Sequence, residues 1–301
     1  MAQGACVSGA LANAARTAMT VRHQLHGEAV SQMDPEVPAT IASQLSQLKV
    51  ALTEAADAAF ACASGAADPE EIQKTLATAL HANLTGASET VYVTKTKKDV
   101  GAYGSDLAVQ VFPLFDSPRY YEVDFRYGVE CGDDNLLLVY EGDSGGWKQV
   151  LRWGAPSYST VADAYGDFVL LTPLSGFPGQ RNWRFVVAHG QPGCNGMFGH
   201  SRFDIDLLEP AADPSQPRVV WHLERPYVRS QVPRLATTED TLSFELLPPE
   251  RKTARGARPP AGPGESFRYR VTRDNKVEPL ERTPDAGREP PAQAASTRSP
   301  Q

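Results

Sequence analysis

Two pairs of acidic side chains, Glu122/Asp124 and Asp204/Asp206, stand two residues apart in segments that alternate apolar and charged residues. On a strand, residues i and i+2 share a face, which sets each pair of carboxylates about 6.5–7 Å apart. Hydrolysis of a glycosidic bond uses two carboxyl groups at such separations. His189, His200 and His222 fall within 34 residues of one another, near the second pair. Three or four such donors, if they converged, would suit zinc. Alternation opposes the convergence. His189 has the parity of buried residues, whereas His222 has the opposite parity to Trp221 and points to solvent. The charged pairs are therefore expected on a wet strand face, and Asp133-Asp134-Asn135, which could ligate calcium, is expected in a solvated loop. No catalytic residue, metal site or cofactor is assigned.

The string Gly142-Asp143-Ser144-Gly145-Gly146 is similar to the segment around the nucleophile of chymotrypsin-like serine proteases. That similarity implies Ser144 as a nucleophile activated by a His that an Asp orients. The context departs from that family. His23, His26 and His81, the upstream histidines, fall in segments expected to be helical, and Trp147 stands where the family has Pro. Too little strand-forming chain precedes Ser144 to build a first barrel. A Gly-rich hairpin turn between Leu136–Tyr140 and Trp147–Trp153 explains the same residues.

The four tryptophans, Trp147, Trp153, Trp183 and Trp221, fall in the region expected to be β, with most of the tyrosines. Trp183 and Trp221 share parity with apolar positions and are expected in the core. Trp147 flanks the turn. With Tyr158 and Tyr165 it is the candidate surface for stacking on a sugar ring. Asn83-Leu84-Thr85 has the form of a glycosylation sequon and is expected at a helix terminus.

These residues need elements to hold them. Residues 5–85 are rich in Ala, Leu, Gln and Glu, all good helix formers. Prolines at 35 and 38 separate a first helix over about 7–31 from a second over about 39–63. In the second, Ile41, Leu45, Leu48, Leu52, Ala56 and Phe60 recur every three or four residues, one face of a helix. A third begins at Asp68-Pro69-Glu70-Glu71, an N-cap followed by Pro and acid in the first turn, and ends near Asn83. Two antiparallel helices joined near 32–37 place Cys6 beside Cys62, which motivates a disulfide between them.

From Val91 the period becomes two, as in Tyr121–Tyr127, Phe203–Leu207 and Phe267–Val271. Clean alternation indicates antiparallel sheet with one face wet. An internal repeat is also visible. Val109–Leu114 matches Val169–Leu174, Tyr121–Tyr127 matches Trp183–His189, Leu136–Tyr140 matches Phe203–Leu207, and Trp147–Trp153 matches Arg218–Glu224. The offset grows only in loops. Cys131 and Cys194 fall at matched positions, so a second disulfide is plausible there. A third, partial unit runs from Thr241 to Leu280, with a flexible insertion at 248–266 and a hairpin turn at Asp274-Asn275. Residues 283–301 are expected to be disordered.

A four-stranded unit of about 60 residues with a Gly-rich turn and a following Trp resembles the propeller-like repeats of bacterial surface proteins, of the FG-GAP and VCBS type, over 105–280. Those repeats usually carry a calcium loop of Asp-x-Asp-x-Asp-Gly form, which this chain lacks. A closed propeller also needs at least about four blades. The fold class expected is α+β: a helical hairpin or bundle over 1–87, then an antiparallel all-β region over 88–282, either a sandwich or a partial propeller-like repeat.

Residues 86–249 carry 14 basic and 21 acidic side chains, whereas 250–301 carry 11 basic and 7 acidic. An acidic body repels a nucleic-acid duplex. No apolar stretch approaches the 18 residues of a membrane span. The opening segment lacks the basic region and apolar core of a signal peptide, and Ala2-Gln3-Gly4 reads as the start of a mature secreted chain. An even cysteine count without a C-x-x-C pair suits an oxidising compartment. The expectation is a non-catalytic extracytoplasmic binding or structural module with a carbohydrate or cell-envelope partner. The alternative is a secreted hydrolase acting on a polysaccharide.

Overall fold

The structure is a computed structural model. It describes residues 9–26, 37–63, 68–84, 103–104, 106–114, 119–129, 132–154, 168–174, 184–191, 202–226, 232–247 and 265–280. Among the described residues, three helices precede thirteen strands. Helix α1 spans Ala10–His26, α2 Ala39–Cys62 and α3 Pro69–Leu80. The stripe of α2 is buried at each of its six positions, from Ile41 to Phe60, and Ala51, Ala55 and Ala59 are buried beside it. Asp68 caps α3 by accepting a hydrogen bond from Glu70 N at 3.0 Å, with Pro69 at the first position.

The strands form three sheets. The first holds β1 (Asn83–Leu84), β2 (Ala108–Pro113), β3 (Tyr120–Val129), β4 (Gly132–Asp143) and β5 (Gly146–Gly154), antiparallel apart from the parallel pair β1–β2. The second is the meander β6 (Phe168–Leu174), β7 (Arg184–Gln191), β8 (Arg202–Glu209) and β9 (Arg218–Pro226). The third is the meander β10 (Val232–Thr237), β11 (Thr241–Leu247), β12 (Glu265–Val271) and β13 (Val277–Pro279). The first two sheets share a local irregularity: the β4–β5 ladder slips at Val139/Tyr140 and the β8–β9 ladder at Leu207/Leu208.

The layers stack in the order helices, first sheet, second sheet, third sheet, with a core at each junction. Phe60, Leu52 and Leu76 meet Tyr121, Val123, Phe125 and Leu138. Leu137, Val139 and Leu151 meet Phe185, Val187 and Leu208. Val186, Phe203 and Ile205 meet Leu242, Phe244 and Val271. A single core thus crosses the division expected near residue 87, and β1 places the end of the helical region in the first sheet.

The chain is a mixed α+β protein, mostly β. The described strands close neither a barrel nor a propeller. The expectation of one wet face holds for the third sheet, where Phe267, Tyr269 and Val271 face inward and Arg268 and Arg270 are exposed. It fails for the first sheet, which is covered on both sides. Glu122 and Asp124 are therefore buried, at 3% and 8% exposure. Asp133-Asp134-Asn135 belongs to β4 rather than a loop, with Asp134 and Asn135 buried. Strand β10 contains Pro233, which is tolerated because β10 is a sheet edge. No helix among the described residues is long and apolar enough to cross a membrane.

Candidate functional site

The second sheet turns one face toward the first. Its cross-strand rows read Phe185–Leu208, then Val187–Asp206–His222, then His189–Asp204–Glu224. The face is thus apolar at one end and polar at the other. The first sheet covers the apolar end, and a cleft of about 530 Å³ opens at the polar end. Arg152, Trp153 and Gly154 of β5, Lys49 of α2 and the 215–217 segment form its other walls. That segment is tied down: Arg152 N donates to Pro214 O at 2.7 Å, and Asp213 accepts from Ser215 N and Oγ at 2.9 and 2.7 Å.

At the floor, Lys49 Nζ lies 3.1 Å from Asp134 Oδ1, with both side chains buried. Asp134 also accepts from Tyr127 OH and from Asn135 N, each at 2.8 Å. Burial lowers the Lys49 pKa, and the charge of Asp134 opposes that shift. Gly154 makes the approach possible, since a Cβ there would sit 3.0 Å from Asn135 O and 3.3 Å from Lys49 Nζ.

Trp153 meets the His189 ring edge-on at 5.2 Å. Burial, with Lys49 and Arg202 adding to it, pushes the His189 pKa down to about 4, so the imidazole is neutral at pH 7. On β8, burial raises the Asp204 carboxyl, opposed by Arg202 and His222. His222 Nδ1 lies 2.8 Å from Asp206 Oδ1, which leaves Nε2 3.8 Å from Asp204 Oδ1. Donor atoms of Asp204, His222 and Glu224 lie within 4.8 Å of one another, the set that could approach a divalent ion. Arg202 already reaches both carboxylates of that set, at 4.0 Å from Asp204 and 3.6 Å from Glu224.

The structure therefore brings together His189, His222, Asp204 and Asp206 and leaves other candidates apart. Glu122 and Asp124 are buried in the first sheet. Burial raises both pKa values, Glu122 well above its usual range, and among the described residues Glu122 Oε2 and Asp124 Oδ1 have no hydrogen-bond partner. Ser144 and Gly145 form the exposed turn between β4 and β5, closed by Gly145 N donating to Asp143 at 2.6 Å. Trp147 lies on the helix-side core, with ring centroids 5.4 Å from Phe60 and 4.9 Å from Tyr121. Tyr158, Tyr165, Trp183, His200, Cys6, Cys131 and Cys194 lie outside the described residues. Cys62, the last residue of α2, is disulfide-bonded.

Lys49, Arg152 and Trp153 were not singled out from the sequence. Lys49 did leave a signal, as a charged residue inside the apolar stripe between Leu48 and Leu52. No family model, curated protein or solved structure matches the chain.

Proposed function

We propose that the protein is a non-catalytic binding module acting outside the cytoplasm, and that the cleft between β5, α2 and the second sheet receives a saccharide. The observation that carries this is the company kept in the cleft. A guanidinium, two carboxylates, a neutral imidazole and an indole line one cavity whose floor is fixed by a buried ion pair. Planar polar groups of this kind hydrogen-bond neighbouring hydroxyls in pairs. The half-buried aromatic supplies apolar contact. The disulfide at Cys62 supports an oxidising compartment. The pairings proposed are Cys6–Cys62 and Cys131–Cys194. The run of three sheets, each containing a four-stranded antiparallel meander (β2–β5, β6–β9 and β10–β13), supports a repeated, propeller-like origin of the β region. The test is a glycan array probed with the full chain, followed by product analysis on each hit. Binding without product is expected.

One observation favours a second reading, a polysaccharide hydrolase. Asp204 and Asp206 share a strand face at the cleft, and burial holds Asp204 toward its protonated form, as a general acid requires. That reading predicts product release that Asp204→Asn abolishes.

A further inference from the structure

The cleft contains a charge that the protein does not satisfy. Among the described arginines that are buried or half-buried, Arg22 donates to backbone carbonyls, Arg126 pairs with Asp124, Arg184 donates to the carbonyls of Thr272 and Arg273, and Arg202 pairs with Asp204 and Glu224. Arg152 is also half-buried, yet among the described residues its guanidinium makes neither an ion pair nor a hydrogen bond. Asp213 feels its charge but is exposed and engaged by Ser215 and Gln216. The other cation on that wall, Lys49, is matched by Asp134. The wall formed by α2 and β5 therefore carries one positive charge in excess. A guanidinium drawn out of water without a partner is costly, and its fork fits a carboxylate with two parallel hydrogen bonds. The opposite wall carries Asp204 and Asp206, which suit hydroxyl donors and would repel a second anion.

We propose that the cleft selects a carboxylate-bearing sugar, with Arg152 receiving the carboxylate and the β8 carboxylates facing the hydroxyls. This rests on the cleft being a saccharide site. The test is calorimetric titration of the full chain with glucuronate and with glucose, repeated on Arg152→Gln and Arg152→Lys, with melting curves recorded for each variant. The expected result is at least tenfold tighter binding of glucuronate than of glucose. Arg152→Gln removes that preference, bringing the two affinities within about twofold of each other, and Arg152→Lys restores part of it. Equal binding of the two sugars, or a preference that survives in Arg152→Gln, overturns the role of Arg152 and leaves the saccharide site standing. Binding of neither sugar, together with an array that shows no glycan bound, overturns both.

Discussion

Lys49 of α2 and Asp134 of β4 form an ion pair at 3.1 Å with side-chain exposures of 5% and 4%, joining the helical layer to the first sheet beneath the cleft. Taking two charges out of water is tolerable only when each is compensated, and Asp134 has two further donors in Tyr127 and Asn135. Lys49→Met leaves Asp134 buried without its cation and is expected to cost about 3–5 kcal/mol in urea unfolding. The double variant Lys49→Met/Asp134→Asn removes the stranded charge and should recover part of that loss.

Glu122 gives stability a dependence on pH in the acid-to-neutral range. In the unfolded chain the carboxyl ionises near its ordinary value of 4.5, and in the folded chain only well above it. Below 4.5 both states hold the proton and burial carries no electrostatic penalty. As pH rises from there, the unfolded chain releases its proton first, so stability falls. Asp124 acts in the same direction. Glu122→Gln should raise the melting temperature at pH 7 and flatten the decline between pH 4.5 and 7. An unchanged slope would show that Glu122 ionises normally in the fold.

His189 acts from the other side. It titrates near 6.5 when unfolded and at about 4 when folded. Above 6.5 both states are neutral and its contribution is complete. As pH falls from 6.5 toward 4, the unfolded chain takes up a proton that the folded chain refuses, and stability is lost. NMR titration of the His189 ring should place its midpoint near 4. His189→Gln should remove this acid-side loss and leave the decline due to Glu122 in place.

Trp147 is expected to matter for packing rather than for ligand. Its ring rests on Phe60 and Tyr121 and covers Gly142, where a Cβ would lie 2.9 Å from the indole. Gly142→Ala must displace the ring and should destabilise by about 1–3 kcal/mol, with a shift in tryptophan emission. Any glycan affinity should be unchanged in the folded variant.

Much of the scaffold was legible in the sequence because its signals are local. The stripe from Ile41 to Phe60, the Asp68-Pro69 helix start, the hairpin turn at Ser144-Gly145 and the turn before β13 each depend on a few adjacent residues. The site was less legible because its residues come from separate layers. Glu122 and Asp124 carry the alternation of a wet strand, and only the packing of the second sheet against that face buries them. Asp133-Asp134-Asn135 has the composition of a loop, and its place in β4 follows from the long ladder with β3. Lys49, Arg152 and Trp153 meet His189 and Asp204 only after three layers have stacked, and no spacing in the sequence encodes that meeting. The parity of Asp204, Asp206, His222 and Glu224 was visible, but not the cleft beside them.

The most direct test of the cleft as the binding site is calorimetric titration of the full chain, and of Asp204→Asn/Asp206→Asn, with the best glycan from the array. The account predicts saturable binding without product by the unaltered chain. In the double variant it predicts affinity weaker by about tenfold or more, a loss of about 1.4 kcal/mol, with a melting temperature not below that of the unaltered chain. A variant that binds the same glycan with unchanged affinity would contradict it.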